Sequence, residues 1–205
     1  GTTGALTLEG GVRDGIGGVD GLDGARDLAI SRDGHHVYVA GVDDDAVAVF
    51  ARDATTGLLG FVAGQRDGVG AVAGLDAATS VALSPDGARL FATAGTDDAL
   101  VVFDRDGKYL SSFGSVGKQY GQFARPKEIA IDRDGNVYVV DSAFGNFQIF
   151  NPDGELLLFV GERSERDGPA RYMLPSGIAV DEDGRVYMVD QWFRKIDVFR
   201  PVALK

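Results

Sequence analysis

Acidic side chains in loops have the most capacity for chemistry in this chain. Asp43-Asp44-Asp45 and Asp97-Asp98 form two runs. Asp141 and Asp190 each end an apolar segment, Val137-Tyr138-Val139-Val140 and Val186-Tyr187-Met188-Val189. Carboxylates gathered at four related positions could hold a hard cation through oxygen ligands. A solvated acidic rim of Asx-type turns is the competing reading. Phe144, Trp192, Arg194 and Lys127 fall in or beside the same loops, and exposed aromatic and arginine side chains are the types enriched at binding hot spots. The candidate ligand-binding loop face is therefore Asp44, Asp97, Asp141, Asp190, Phe144, Trp192, Arg194 and Lys127.

Other chemistries find little support in the residues. His35 and His36 are the two histidines, and no further ligand stands at metal-binding spacing from them. Asp132-Arg133-Asp134-Gly135-Asn136 and Asp181-Glu182-Asp183-Gly184 begin like calcium loops, but glycine comes fourth rather than sixth. No Gly-x-Ser-x-Gly nucleophile motif is present, and the absence of cysteine excludes thiolate chemistry and disulfides. No catalytic residue and no metal-ligand set is assigned. No cofactor is expected, although a cation on the loop face remains open. A net charge of −11 argues against nucleic-acid and anionic-membrane partners. No apolar run is long enough to span a bilayer and no signal-peptide pattern is visible, so a soluble chain of unassigned compartment is expected.

The elements that must position these residues come from a repeat. Thr2-Thr3-Gly4, Arg13-Asp14-Gly15 and Gly21-Leu22-Asp23 recur 53 residues later as Thr55-Thr56-Gly57, Arg66-Asp67-Gly68 and Gly74-Leu75-Asp76. Four alternating segments run into tight Asp-Gly turns at Gly34, Gly87, Gly135 and Gly184. Asp-Gly between apolar runs is a hairpin signal, because glycine accepts the positive φ that matches strand twist. Second and third strands follow each turn, and a fourth follows in three repeats. The pattern predicts an all-β fold, a β-propeller with four blades of four antiparallel strands. The blades fall at about residues 25–66, 78–115, 127–161 and 176–200, the last joined by residues 4–10. On this reading the N-terminal strand, residues 5–9, completes the last blade and closes the ring. A monomer is expected, with a dimer sharing outer strands as the alternative.

Composition changes near residue 103. Residues 1–102 carry 6 basic and 15 acidic side chains, net −9; residues 103–205 carry 14 and 16, net −2. The stretch Ser31-Arg32-Asp33-Gly34-His35-His36-Val37-Tyr38-Val39-Ala40, with Asp45-Ala46-Val47-Ala48-Val49-Phe50, resembles lactonase-like propeller repeats. Arg125-Pro126-Lys127-Glu128-Ile129-Ala130-Ile131-Asp132 and Leu174-Pro175-Ser176-Gly177-Ile178-Ala179-Val180-Asp181 resemble NHL repeats. The two resemblances point to a recombined or engineered chimera, in families that close with six or seven blades. They imply a non-catalytic scaffold with a generic ligand- or protein-binding loop face. A metal-dependent hydrolase of the lactonase-like type is one alternative, and a strand-exchanged dimer forming a larger ring is another.

Overall fold

The Asp-Gly turns form as their chemistry requires: Gly34, Gly87, Gly135 and Gly184 have φ of 72°, 67°, 84° and 75°, a region that side chains with a Cβ rarely adopt. The two halves hold these turns differently. Ser31 and Ser84 hydroxyls donate to Asp33 and Asp86, and accept the amides of His36 and Arg89. In the second half the carboxylates of Asp132 and Asp181 take the turn amides directly, and each also accepts a tyrosine hydroxyl, from Tyr138 at 3.0 Å and Tyr187 at 2.9 Å.

A computed structural model describes residue 4, residues 6–95 and residues 100–201. Blade 1 comprises β1 (Ala25–Ile30), β2 (His36–Gly41), β3 (Ala46–Arg52) and β4 (Leu59–Arg66). Blade 2 comprises β5 (Ala78–Leu83), β6 (Arg89–Ala94), β7 (Leu100–Asp104) and β8 (Tyr109–Phe113). Blade 3 comprises β9 (Pro126–Ile131), β10 (Val137–Asp141), β11 (Asn146–Phe150) and β12 (Leu156–Val160). A short parallel pair, β13 (Glu162–Arg163) and β14 (Arg171–Tyr172), lies in the connection to blade 4, which comprises β15 (Pro175–Val180), β16 (Val186–Asp190) and β17 (Lys195–Phe199). Each blade is an antiparallel sheet in chain order, and the fourth has three strands among the described residues. No helix of these residues is long and apolar enough to cross a membrane.

Alternating side chains put one face of each sheet toward the preceding blade and the other toward the next. Tyr38, Ala40, Val47 and Val49 of blade 1 pack on Val81, Leu90, Ala92, Val101 and Phe103 of blade 2. Phe91, Leu100 and Val102 then meet Ile129, Val137, Val139 and Phe150. Tyr138, Val140 and Phe147 meet Ile178, Val186 and Met188. The face of blade 1 that points away from blade 2 is covered only in its outer part, where Val12, Val19 and Leu22 lie over Val37, Ala48 and Phe50.

The inner strands pack in sequence, β1 on β5, β5 on β9 and β9 on β15, and no packing of that extent joins β15 back to β1. The four blades therefore form an arc with two ends. Leu28 and Ile30 are 59% and 54% exposed at one end, and Ile196 and Val198 are 64% and 56% exposed at the other. The expected closure by residues 5–9 is not seen among the described residues. Ala5 lies outside the described residues, and residues 6–10 belong to no strand. The physical reason is that the chain leaves along blade 1: a Cβ on Gly10 would stand 2.5 Å from Leu58 Cδ2, at the opposite end of the arc from β17.

Candidate functional site

Every inner strand carries a register irregularity near its start. The ladder skips between Ala25 and Asp27, Ala78 and Ser80, Pro126 and Ile129, and Pro175 and Gly177. An extra residue of this kind bends a strand and re-aims its side chain. The displaced residues are Arg26, Thr79, Lys127 with Glu128, and Ser176. Together with Asp27 and Ser80 they line one cavity of about 210 Å³, to which all four blades contribute.

Part of this polar lining is already committed. Asp27 accepts the Ser80 hydroxyl at 2.6 Å and the Val81 amide at 2.9 Å through Oδ2, and the Leu28 amide at 2.8 Å through Oδ1. Thr79 and Thr93 hydroxyls lie 3.0 Å apart. Among the described residues, no hydrogen bond or ion pair engages the side chains of Arg26, Lys127 or Glu128. Burial, then the neighbouring charges of Arg26 and Arg125, lowers the Lys127 ammonium below its ordinary value. Burial and the nearby Asp27 raise the Glu128 carboxyl.

The raised Glu128 carboxyl has a pH consequence. Its folded-state pKa lies above the ordinary 4.5, so the native state holds this proton more tightly than the unfolded chain. The associated stability is present below that value and is lost as pH rises through the folded-state pKa. Glu128→Gln is therefore expected to gain in melting temperature relative to the parent as the pH rises from below the ordinary glutamate value through the folded-state pKa. A gap between the two proteins that stays constant across this window would contradict the assignment.

Of the residues singled out in the sequence, Lys127 lies in this cavity. Asp141 and Asp190 are buried and turned into their own blades. Asp141 Oδ2 accepts the amides of Ala124 at 2.7 Å and Arg125 at 3.2 Å, while Oδ1 accepts those of Ala143 at 2.8 Å and Phe144 at 3.0 Å. Asp190 takes the amides of Met173 and Leu174, each at 2.9 Å, and of Phe193 at 2.8 Å. Asp44 binds the Asp23 amide at 2.8 Å. Asp141 and Asp190 thus tie the loop after the second strand to the connection entering the inner strand, and in blade 1, where Gly41 holds their position, Asp44 of the loop makes that link instead. The three carboxylates are not gathered into one acidic ring. Asp97 lies outside the described residues. Phe144 is half-buried, Trp192 is 64% exposed, and Arg194 is exposed with φ of 56° in the turn before β17.

The described residues hold one trio of carboxylates close enough to share a cation: Asp14, Asp20 and Asp44. Arg66 already supplies positive charge there, bidentate to Asp20 and 2.7 Å from Asp44. Asp14 is also engaged, by the Leu22 amide at 3.0 Å, as its repeat counterpart Asp67 is by Leu75 at 2.9 Å. On the opposite face, His36 stacks on Tyr38 with centroids 6.1 Å apart, and His35 is exposed.

The cavity residues other than Lys127 escaped the sequence reading, which looked to loops. Their signal was available: each inner strand starts with a pair, Arg26-Asp27, Thr79-Ser80, Lys127-Glu128 or Ser176-Gly177, directly before the apolar-Ala-apolar core of the strand.

Comparison with known proteins follows the same geometry. A profile described as "Lactonase, 7-bladed beta-propeller" matches residues 20–73, which supports a β-propeller with lactonase-like repeats. No curated protein matches. Among solved structures, the chain is similar to a catalytically inactive virginiamycin B lyase from Staphylococcus aureus with quinupristin. The identity is 14% and the TM-score 0.60, covering 88% of this chain and 56% of that one. It is also similar to Kuenenia stuttgartiensis hydrazine synthase, at 19% identity and TM-score 0.56, covering 93% and 53%. A Bacteroides thetaiotaomicron protein of unknown function gives 16% identity and TM-score 0.66, covering 85% and 46%. These similarities show the propeller fold. The chain spans about half the length of the structures it matches.

Proposed function

We propose that this chain is a non-catalytic binding propeller whose inner-strand rim takes a small anionic ligand, such as a carboxylate or phosphate group. The observation that carries this reading is the set of four strand irregularities that turn polar side chains from all four blades into one cavity. Three hydrogen bonds engage the Asp27 carboxylate, whereas Arg26 and Lys127 bring to the cavity two cationic side chains with no hydrogen-bond or ion-pair partner among the described residues. An anion between those two cations would offset both the burial and the neighbouring positive charge that lower Lys127.

Titration calorimetry with inorganic phosphate and with acetate tests this. Saturable binding of either anion is expected, weakened about tenfold or more by Lys127→Ala and by Arg26→Ala, since loss of one charged hydrogen bond costs on the order of 1.5 kcal/mol or more. Absence of saturable binding, or binding indifferent to both substitutions, would overturn it.

The lactonase-profile match over residues 20–73 favours a second reading, a metal-dependent hydrolase. Glu128 and Lys127, with pKa values pushed toward each other, would be its proton-transfer pair. Turnover in a panel of lactones and esters with added divalent cations, lost in Glu128→Gln, would favour it. The contrast in turn chemistry between the halves, serine-capped first and aspartate-capped second, supports a further inference on ancestry. On this reading lactonase-like and NHL-like blades were joined in one chain.

A further inference from the structure

The third strand of each blade carries a phenylalanine whose opposite residue on the fourth strand is bulky. Phe50 faces Phe61, Phe103 faces Tyr109 and Phe150 faces Leu156. The first two pairs meet edge to face, with centroids 5.7 Å and 6.3 Å apart. Phe50, Phe103 and Phe150 are fully buried as a result. Phe199 holds the same position in β17, but no strand lies beside it among the described residues and it is only half-buried. The edge of β17 thus presents unpaired amide and carbonyl groups flanked by exposed Ile196 and Val198, a template for strand addition.

A strand that fits this edge is present in the chain, and its first part, residues 6–10, is in no sheet. By the 53-residue repeat, residues 6–13 are the counterpart of β4, with Leu6 at the place of Leu59 and Leu8 at the place of Phe61. Leu8 is the residue that would face Phe199. Leu6 and Leu8 are 99% and 90% exposed. Gly10 lies against Leu58 of blade 1, at the far end of an arc in which the inner-strand packing does not continue from β15 to β1.

We propose that two copies of this chain close one ring of eight blades, each giving residues 6–10 as the fourth strand of the other's β15–β17 sheet. A twofold axis sets the Ile196 and Val198 face of each copy against the Leu28 and Ile30 face of the other, burying both. The same arrangement puts the half carrying net −9 beside the half carrying net −2 rather than against itself. The proposal is independent of the anion-binding reading.

Light scattering after size exclusion is expected to give the mass of two chains, and a single-chain mass at all concentrations would overturn the proposal. Leu6→Lys combined with Leu8→Lys alters residues that are exposed within one chain. That variant is expected to be monomeric with an unchanged circular dichroism spectrum; if it stays dimeric, the copies pair through another surface and the proposal fails. Thr7 and Arg200 would lie directly opposite, as Gly60 and Ala51 do, and the chain contains no cysteine. Thr7→Cys with Arg200→Cys is therefore expected to give a disulfide-linked two-chain species on a non-reducing gel. A disulfide within one chain would mean that the ring closes on itself, and no disulfide would mean that the strand does not dock. Either result would overturn the exchange.

Discussion

Asp141→Ala is expected to destabilise the protein by about 3–5 kcal/mol, which at this chain length lowers the melting temperature by roughly 10 °C. Asp141 is fully buried, and its two oxygens accept four backbone amides from two separate loops. Truncation leaves those donors without acceptors, and each buried unsatisfied donor costs on the order of 1–3 kcal/mol before relaxation. Asp141→Asn is expected to recover little, because its NH₂ would point at two N–H donors. Asp134→Ala, in an exposed turn, is expected to change stability by about 0.5 kcal/mol or less. Denaturant unfolding of the three variants measures this. A loss below about 1 kcal/mol for Asp141→Ala would show that the loops do not depend on the carboxylate. A larger loss in anion affinity than in stability would return Asp141 to the ligand-binding role first read from the sequence.

The second large effect is expected at the neighbouring turn. Gly145→Ala should cost about 2–4 kcal/mol, combining left-handed backbone strain with overpacking. Gly145 has φ of 66°, and a Cβ there would stand 2.5 Å from Arg163 Cα, 2.6 Å from Arg163 N and 2.9 Å from Tyr172 O. All three are backbone atoms of the β13–β14 connection, so no side-chain rotation relieves the contact. The same turn position is filled by Asp45 in blade 1 and Arg194 in blade 4, with φ of 51° and 56°. The left-handed backbone alone is thus tolerated by larger residues, and the close approach of the connection is what demands glycine. Calorimetric melting of Gly145→Ala beside Arg194→Ala separates the two causes. A comparable, small change in both would contradict the packing argument.

The legible part of this fold is the part set by short-range pattern. Asp33-Gly34 and its three counterparts mark the hairpins, because one residue type meets one backbone demand, and the alternation around them gives strand order within each blade. Ring closure depends instead on curvature accumulated over four sheets, a quantity no local window of residues contains. The repeat alone therefore cannot say which sheet edge residues 5–9 join, and in the structure Gly10 lies beside Leu58.

The candidate site divides in the same way. Lys127 could be picked out as an unusual cation beside a connection. Its cavity neighbours Arg26, Thr79 and Ser176 are ordinary strand residues until a skipped ladder position turns them inward. Asp141 and Asp190 read as free carboxylates because some of their amide partners, in the connections entering the inner strands, lie 16–17 residues away in sequence.

Within a single chain the inner strands pack mainly in sequence, so an isolated copy behaves as a one-dimensional stack, with stability set by the interfaces on either side of each unit. Blades 2 and 3 are sandwiched between neighbours, blade 4 packs on blade 3 alone, and the second face of blade 1 is covered only in its outer part. Opening fluctuations therefore begin at the two termini of the stack and move inward. The cavity draws its polar groups from all four units, so fraying at either end disassembles it while the middle of the molecule is still folded.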